Sequence, residues 1–208
     1  MRTPDRSAAA GSADKLRVRA AVRCAASIQN VSAIALALFA VSPAHAEIVT
    51  AGANGFSIRH VAEAPSVSAH LAWAALSDVA KWWDPEHTYS NDARNLTLEP
   101  LVNGCFCEKL GLYAGIEHAR VVYAEPVKRL RLLGALGPLQ EFGVSGSMNW
   151  QIDAAGGGSR ITLTYNVGGF ADRPLSDWAP IVDEVLGAQV TRLGRYLTSG
   201  DPNLKKEP

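Results

Sequence analysis

Cysteine is scarce, with only Cys24, Cys105 and Cys107 in 208 residues. That excludes a disulfide scaffold, and without paired C-x-x-C sites it excludes a structural zinc domain. Charge of one sign is also missing. The 20 Lys plus Arg balance 20 Asp plus Glu without a basic block, so a nucleic-acid partner has no electrostatic footprint. The clearest apolar run, residues 31–41, is 11 residues long, against the roughly 20 that a membrane span needs. No GxGxxG, P-loop, GxSxG or HExxH is present. What remains is an ordinary 48% of hydrophobic residues, too many for a disordered chain and enough for one domain.

The first 46 residues read as an export signal. Arg2, Arg6, Lys15, Arg17, Arg19 and Arg23 form a positive n-region, residues 31–41 (VSAIALALFAV) an apolar h-region, and Ala44-His45-Ala46 an A-x-A cleavage site. No Cys follows the cleavage site and there is no twin-Arg pair, so neither a lipoprotein anchor nor folded export is expected. Loss of the leader removes six basic and two acidic residues, leaving 14 against 18, a net charge of −4. The expected object is a periplasmic or secreted domain over residues 47–200, with a polar tail at 201–208 and no membrane anchor after cleavage.

Along the mature chain, FSIRHVAE at 56–63 alternates like a strand and stops at Pro65. From Ser66 the pattern turns helical, with Val67, Leu71, Ala74 and Ala75 on one face and Ser66 or Ser68 as N-cap. A break at Ser77-Asp78 leads to a second short helix ending at Trp82-Trp83. Six further short strands follow at 95–101, 105–110, 116–124, 129–136, 144–153 and 160–168, each bounded by turn residues. A long helix at 176–197 closes the order, carrying Trp178, Ile181, Val182, Val185, Leu186, Leu193 and Tyr196 on one face. Asp183 and Glu184 fall on the other. A meander of this length has to cover its apolar face, and this helix is the element large enough to do so.

The strings WWDPEHTYS at 82–90, NGCFCEKL at 103–110, LRLLGALGPLQ at 130–140, LTYNVGGF at 163–170 and APIVDEVLGAQVTRLGRYL at 179–197 strengthen one resemblance. The chain resembles the helix-grip fold of the SRPBCC superfamily (START, birch-pollen-allergen and polyketide-cyclase-like domains), in an exported bacterial branch. The resemblance covers nearly all of residues 55–198. It implies an α+β fold, a curved antiparallel sheet of about seven strands around the C-terminal helix, with two short helices after the first strand and a hydrophobic cavity. It does not imply one reaction.

Several side chains are candidates for that cavity. Trp82, Trp83, Tyr89, Met148, Trp150, Tyr165, Phe170, Trp178 and Val182 would supply apolar wall, and Tyr123 or Tyr165 a polar tip. Gln189 falls in the middle of the apolar stripe of the last helix, where a buried amide needs a partner: backbone, water or a ligand oxygen. Glu108 and His118 lie on consecutive strands. With the hairpin symmetric about Tyr113 they oppose each other, as do Phe106 and Arg120, and a carboxylate beside a histidine suits acid/base work. Parity points the other way, because Cys105, Cys107, Ala119, Val121 and Tyr123 form the more apolar face. That leaves Glu108, His118 and Arg120 as a solvated network. Asp84 or Glu86 beside His87 is a further acid/base candidate at the cavity mouth. Cys105 and Cys107 share a strand face at about 6.6–6.8 Å, the edge of disulfide range. As metal ligands they lack further partners, so no metal is expected.

The leading expectation is a binding module without cofactor, monomeric or weakly dimeric, holding a small hydrophobic molecule between sheet and helix. The rival is a polyketide cyclase or dehydratase. It requires His118 or His87 to face the cavity with a carboxylate partner. A co-chaperone reading fits the superfamily but conflicts with the leader.

Overall fold

The computed structural model describes residues 47–204. The expected leader and its cleavage site lie outside the described residues, as does the end of the tail, 205–208.

Eight strands form one antiparallel curved sheet: β1 (Glu47–Gly52), β2 (Gly55–Ala64), β3 (Leu96–Leu98), β4 (Cys105–Lys109), β5 (Gly115–Glu125), β6 (Arg129–Leu133), β7 (Gly143–Ala155) and β8 (Gly158–Phe170). Their spatial order is β1-β2-β8-β7-β6-β5-β4-β3. Six consecutive strands thus make a meander, and the N-terminal hairpin adds to the edge of the last one. Turn chemistry sets the register of the longest pair. Gly156 and Gly157, at φ 55° and 85°, form the two-residue link between β7 and β8, a conformation that L side chains resist.

Helix α1 (Ala69–Ser77) is capped by Ser68, whose hydroxyl accepts the Leu71 amide. The long helix α2 (Leu175–Ser199) ends at Gly200 in the left-handed conformation. It lies on the concave side against β2, β1 and β8, burying Leu175, Ala179, Leu186, Gln189, Val190 and Leu193. Each fully buried leucine there contributes about 1.5–3 kcal/mol. This is the expected α+β helix-grip arrangement. Among the described residues no helix is long and apolar enough to cross a membrane.

Several details depart from the sequence reading. The sheet has eight strands rather than about seven, because β1 is a wholly exposed edge strand whose residues show no alternation to detect. The second short helix is a single 3-10 turn, Val79–Lys81. On α1 the buried residues are Ala72 and Leu76, while Leu71 is 62% exposed, so the inward face is rotated from the one expected. Asp183 does not face solvent. It is half-buried, 2.9 Å from His60 Nε2 on β2, and Gly187 makes the room, since a Cβ there would meet the His60 ring at 2.8 Å.

Candidate functional site

The site begins in the loop after α1. Trp82 is buried and donates its indole N–H to the Ala75 carbonyl at 2.9 Å. Trp83 donates to the His87 carbonyl at 3.1 Å and packs on Phe106 with ring centroids 5.3 Å apart. Asp84 caps the 3-10 turn Pro85–His87 by accepting the Glu86 amide. Helix α2 then holds this loop from below. Gln189 Oε1 accepts the Asp84 amide at 2.8 Å, and Arg192 Nε donates to the Trp82 carbonyl at 2.8 Å. With Oε1 so engaged, the Gln189 amide nitrogen is the donor to His87 Nδ1 at 3.2 Å.

Between this loop, the sheet and α2 lies a cavity of about 290 Å³. Its walls are Trp83, Leu96 and Phe106 on one side and Trp178, Ile181, Val182, Val185 and Leu186 of α2 on another. Residues 136–139, around the 3-10 segment Gly137–Glu141, complete the enclosure. Polar edges come from Glu86, His87, Thr88, Tyr89 and His118.

Glu108 and His118 are both buried, against the expectation of a solvated face. Their side chains meet, His118 Nε2 to Glu108 Oε2, at 3.0 Å. The reversal has a geometric cause. Phe106 pairs with Ala119 and Cys107 with Glu117, which leaves His118 as the extra residue of a β-bulge. His118 and Ala119 therefore both turn inward, and counting alternate residues fails. Glu108 pairs with Ile116, and Cys105, not Phe106, pairs with Arg120. Gly134, just past the end of neighbouring β6, accommodates the bulge, because a Cβ there would collide with the His118 carbonyl oxygen.

Burial of the Glu108 carboxylate is tolerable because it is fully bonded. It accepts the Ser90 amide at 2.6 Å and the Tyr89 amide at 3.1 Å in addition to the His118 contact. Burial pushes its pKa up, but the bonds from Ser90, Tyr89 and His118 outweigh that and hold it below the ordinary carboxylate range. Burial lowers the His118 pKa, and the hydrogen bond and charge of Glu108 only partly offset this.

Of the other expected wall residues, Trp83, Tyr89, Trp178 and Val182 border the cavity. Trp82, Met148 and Trp150 instead surround a void of about 10 Å³ in the core. Tyr165 is fully buried, donating to the Gly134 carbonyl at 2.9 Å and accepting the Leu136 amide at 3.2 Å, so it braces the wall from behind. Tyr123 is 39% exposed on the outer face, displaced by a second bulge in β5 between Val121 and Tyr123, where Val122 is the extra residue. Phe170, the last residue of β8, is 81% exposed. Gln189 serves the loop rather than the cavity. Residues 136–139 and Phe106 were not foreseen. The apolar Leu136 and Leu139 flanking a Gly-Pro turn were the available signal, since a solvent turn has no need of them.

Cys105 and Cys107 are joined as a disulfide, with Cα atoms 5.4 Å apart, on the face of β4 opposite Phe106 and Glu108. Glu117 comes close to both sulfurs, the three groups lying within 4.8 Å. The sulfurs are bonded to each other and Glu117 pairs with Arg120.

No protein-family model matches the chain, and no curated protein matches it by sequence. Solved structures do. A Rhodobacter sphaeroides protein is 18% identical, over 74% of this chain and 95% of its own, with a TM-score of 0.45. CalU16 from Micromonospora echinospora is 14% identical, over 78% and 88%, at 0.48. DynU16, from the dynemicin biosynthetic locus, is 21% identical, over 70% and 48%, at 0.46. All three scores are below 0.5, and the reading of the site rests on its own geometry.

Proposed function

We propose that this chain is an exported protein that binds one small, largely apolar molecule in the cavity between the sheet and α2. The carrying observation is the cavity itself, about 290 Å³ and walled by tryptophan, phenylalanine and aliphatic side chains from loop, sheet and helix. Apolar burial supplies the affinity, and the short polar edge from Glu86 to Tyr89 orients the ligand. The leader-like residues 1–46 support export.

Native mass spectrometry of the mature protein, purified gently from its source, tests this reading. The expected result is an added mass that disappears on denaturation and is absent from Val182→Trp, which fills the cavity. A bare mass for the wild type, together with no apolar probe bound in solution, overturns it.

A further inference from the structure

We propose that the cavity is a proton-transfer site, with His118 as base and Tyr89 as hydrogen-bond donor, acting on a small apolar carbonyl compound with an acidic C–H beside its carbonyl. The inference rests on the binding reading and adds chemistry to it.

Geometry assigns the two imidazole nitrogens. Nε2 stands 3.0 Å from Glu108 Oε2, and an ionised carboxylate only accepts, so Nε2 carries the hydrogen of the neutral ring. The lone pair is then on Nδ1. That atom has no hydrogen-bond partner among the described residues, and the ring borders the cavity. Glu108 is pinned by the Tyr89 and Ser90 amides. It fixes the tautomer and the ring orientation from behind, which makes it a positioning residue. Burial keeps the imidazole neutral near pH 7, the form a base requires.

Tyr89 stands beside it, with ring centroids 6.1 Å apart. It also borders the cavity, and its hydroxyl makes no hydrogen bond among the described residues. Burial, with Glu141 and Glu108 nearby, raises its pKa, so it stays a phenol and a donor. The same loop and strand thus present a base and a donor at an otherwise apolar wall. A ligand that satisfies both carries an oxygen next to an acidic C–H and an apolar remainder.

The step balances without a co-reactant. Nδ1 takes the proton, and the C–H pair becomes the C=C bond of an enolate. The carbonyl π pair moves onto oxygen, which accepts the Tyr89 hydrogen bond. The imidazolium that forms faces the Glu108 carboxylate. Return of the proton to the same carbon restores the ketone, and delivery to another carbon yields an isomer.

The test uses 2-tetralone, a bicyclic ketone with an acidic methylene. Binding is read from quenching of tryptophan fluorescence, since Trp83 and Trp178 form part of the wall. Proton transfer is read by NMR as loss of the α-hydrogen signal in D2O. Wild type is expected to exchange faster than buffer. His118→Ala and His118→Gln should lose about 100-fold or more of that acceleration while still binding, and Tyr89→Phe a smaller part. In Glu108→Gln the plateau falls and the rise of rate with pH moves to lower pH, because a group that raises the His118 pKa is gone. A residue with a merely structural role would not move that profile. Circular dichroism confirms that each variant is folded. Binding with exchange at the buffer rate, or exchange unchanged in both His118 variants, overturns the proton-transfer inference and leaves the binding reading intact. No fluorescence change with 2-tetralone at millimolar concentration also overturns it, and the mass measurement then decides the binding reading alone.

Discussion

Gln189, fully buried on α2, accepts the amide hydrogen of Asp84 at 2.8 Å across 105 residues of sequence. With Arg192 on the Trp82 carbonyl, this bond ties the loop of residues 82–87 to the helix that walls the cavity from the other side. Loop and helix therefore behave as one body.

Gln189→Leu removes the acceptor and leaves the amide of the half-buried Asp84 without its partner. A loss of about 1–3 kcal/mol in unfolding free energy is expected, measured by urea denaturation. Ligand affinity should weaken with it, although Gln189 does not border the cavity. Unchanged stability together with weaker binding would instead place the amide on the ligand.

Stability should fall as pH drops below about 6.5. Burial lowers the pKa of His60, beside Asp183, and of His118, beside Glu108, below the ordinary histidine value near 6.5. Between each folded value and the unfolded one the unfolded chain binds more protons, so unfolding free energy rises with pH across that window and levels off above it. Glu108, held below its ordinary 4.5, adds a loss of the same sign at more acid pH. Urea midpoints measured from pH 7.5 down to 4 (about that range) should show the slope, and His60→Gln should flatten its upper part.

Reduction of the Cys105–Cys107 bond should change stability little and the site measurably. The closed loop is very short, so its entropic contribution is about 1–2 kcal/mol, below the usual range for disulfides. Yet Phe106, between the two cysteines in sequence and on the opposite face of β4, packs with its ring centroid 5.0 Å from that of His118. The bond also holds the two Cα atoms at 5.4 Å where a regular strand gives about 6.6–6.8 Å. Cys105→Ser/Cys107→Ser should shift the NMR signals of Phe106 and His118 and alter ligand affinity several-fold. A denatured wild-type mass two hydrogens heavier than expected for the bonded form would show that the bond is not made.

The fold was legible because its elements are strongly periodic and sharply punctuated. The long helix, the meander and the Ser68 cap all follow from local patterns. The site was legible only in its membership. Glu108 and His118 were expected to face each other, and their side chains do meet, but in a different register, with Glu108 paired to Ile116. They also lie inside rather than in solvent, because strand parity assumes an unbroken ladder and the extra residue at 118 breaks it. Tyr123 failed for the same reason at the second bulge. Trp82, Met148, Trp150 and Tyr165 are apolar or aromatic like true wall residues. Composition does not distinguish a side chain that fills the core from one that borders a space. Gln189 was recognised as needing a partner, but its partner lies 105 residues away, a distance that no local pattern encodes.

The bulge at His118 also bears on how such a chain could change over time. An antiparallel hairpin loses nothing by becoming regular, so deletion of that single residue would leave the ladder from β4 to β5 complete. It would also remove the imidazole and leave Glu108 facing an empty wall. Fold and chemistry are thus separated by one codon here. A relative with that deletion would keep the same architecture and have no base in its cavity.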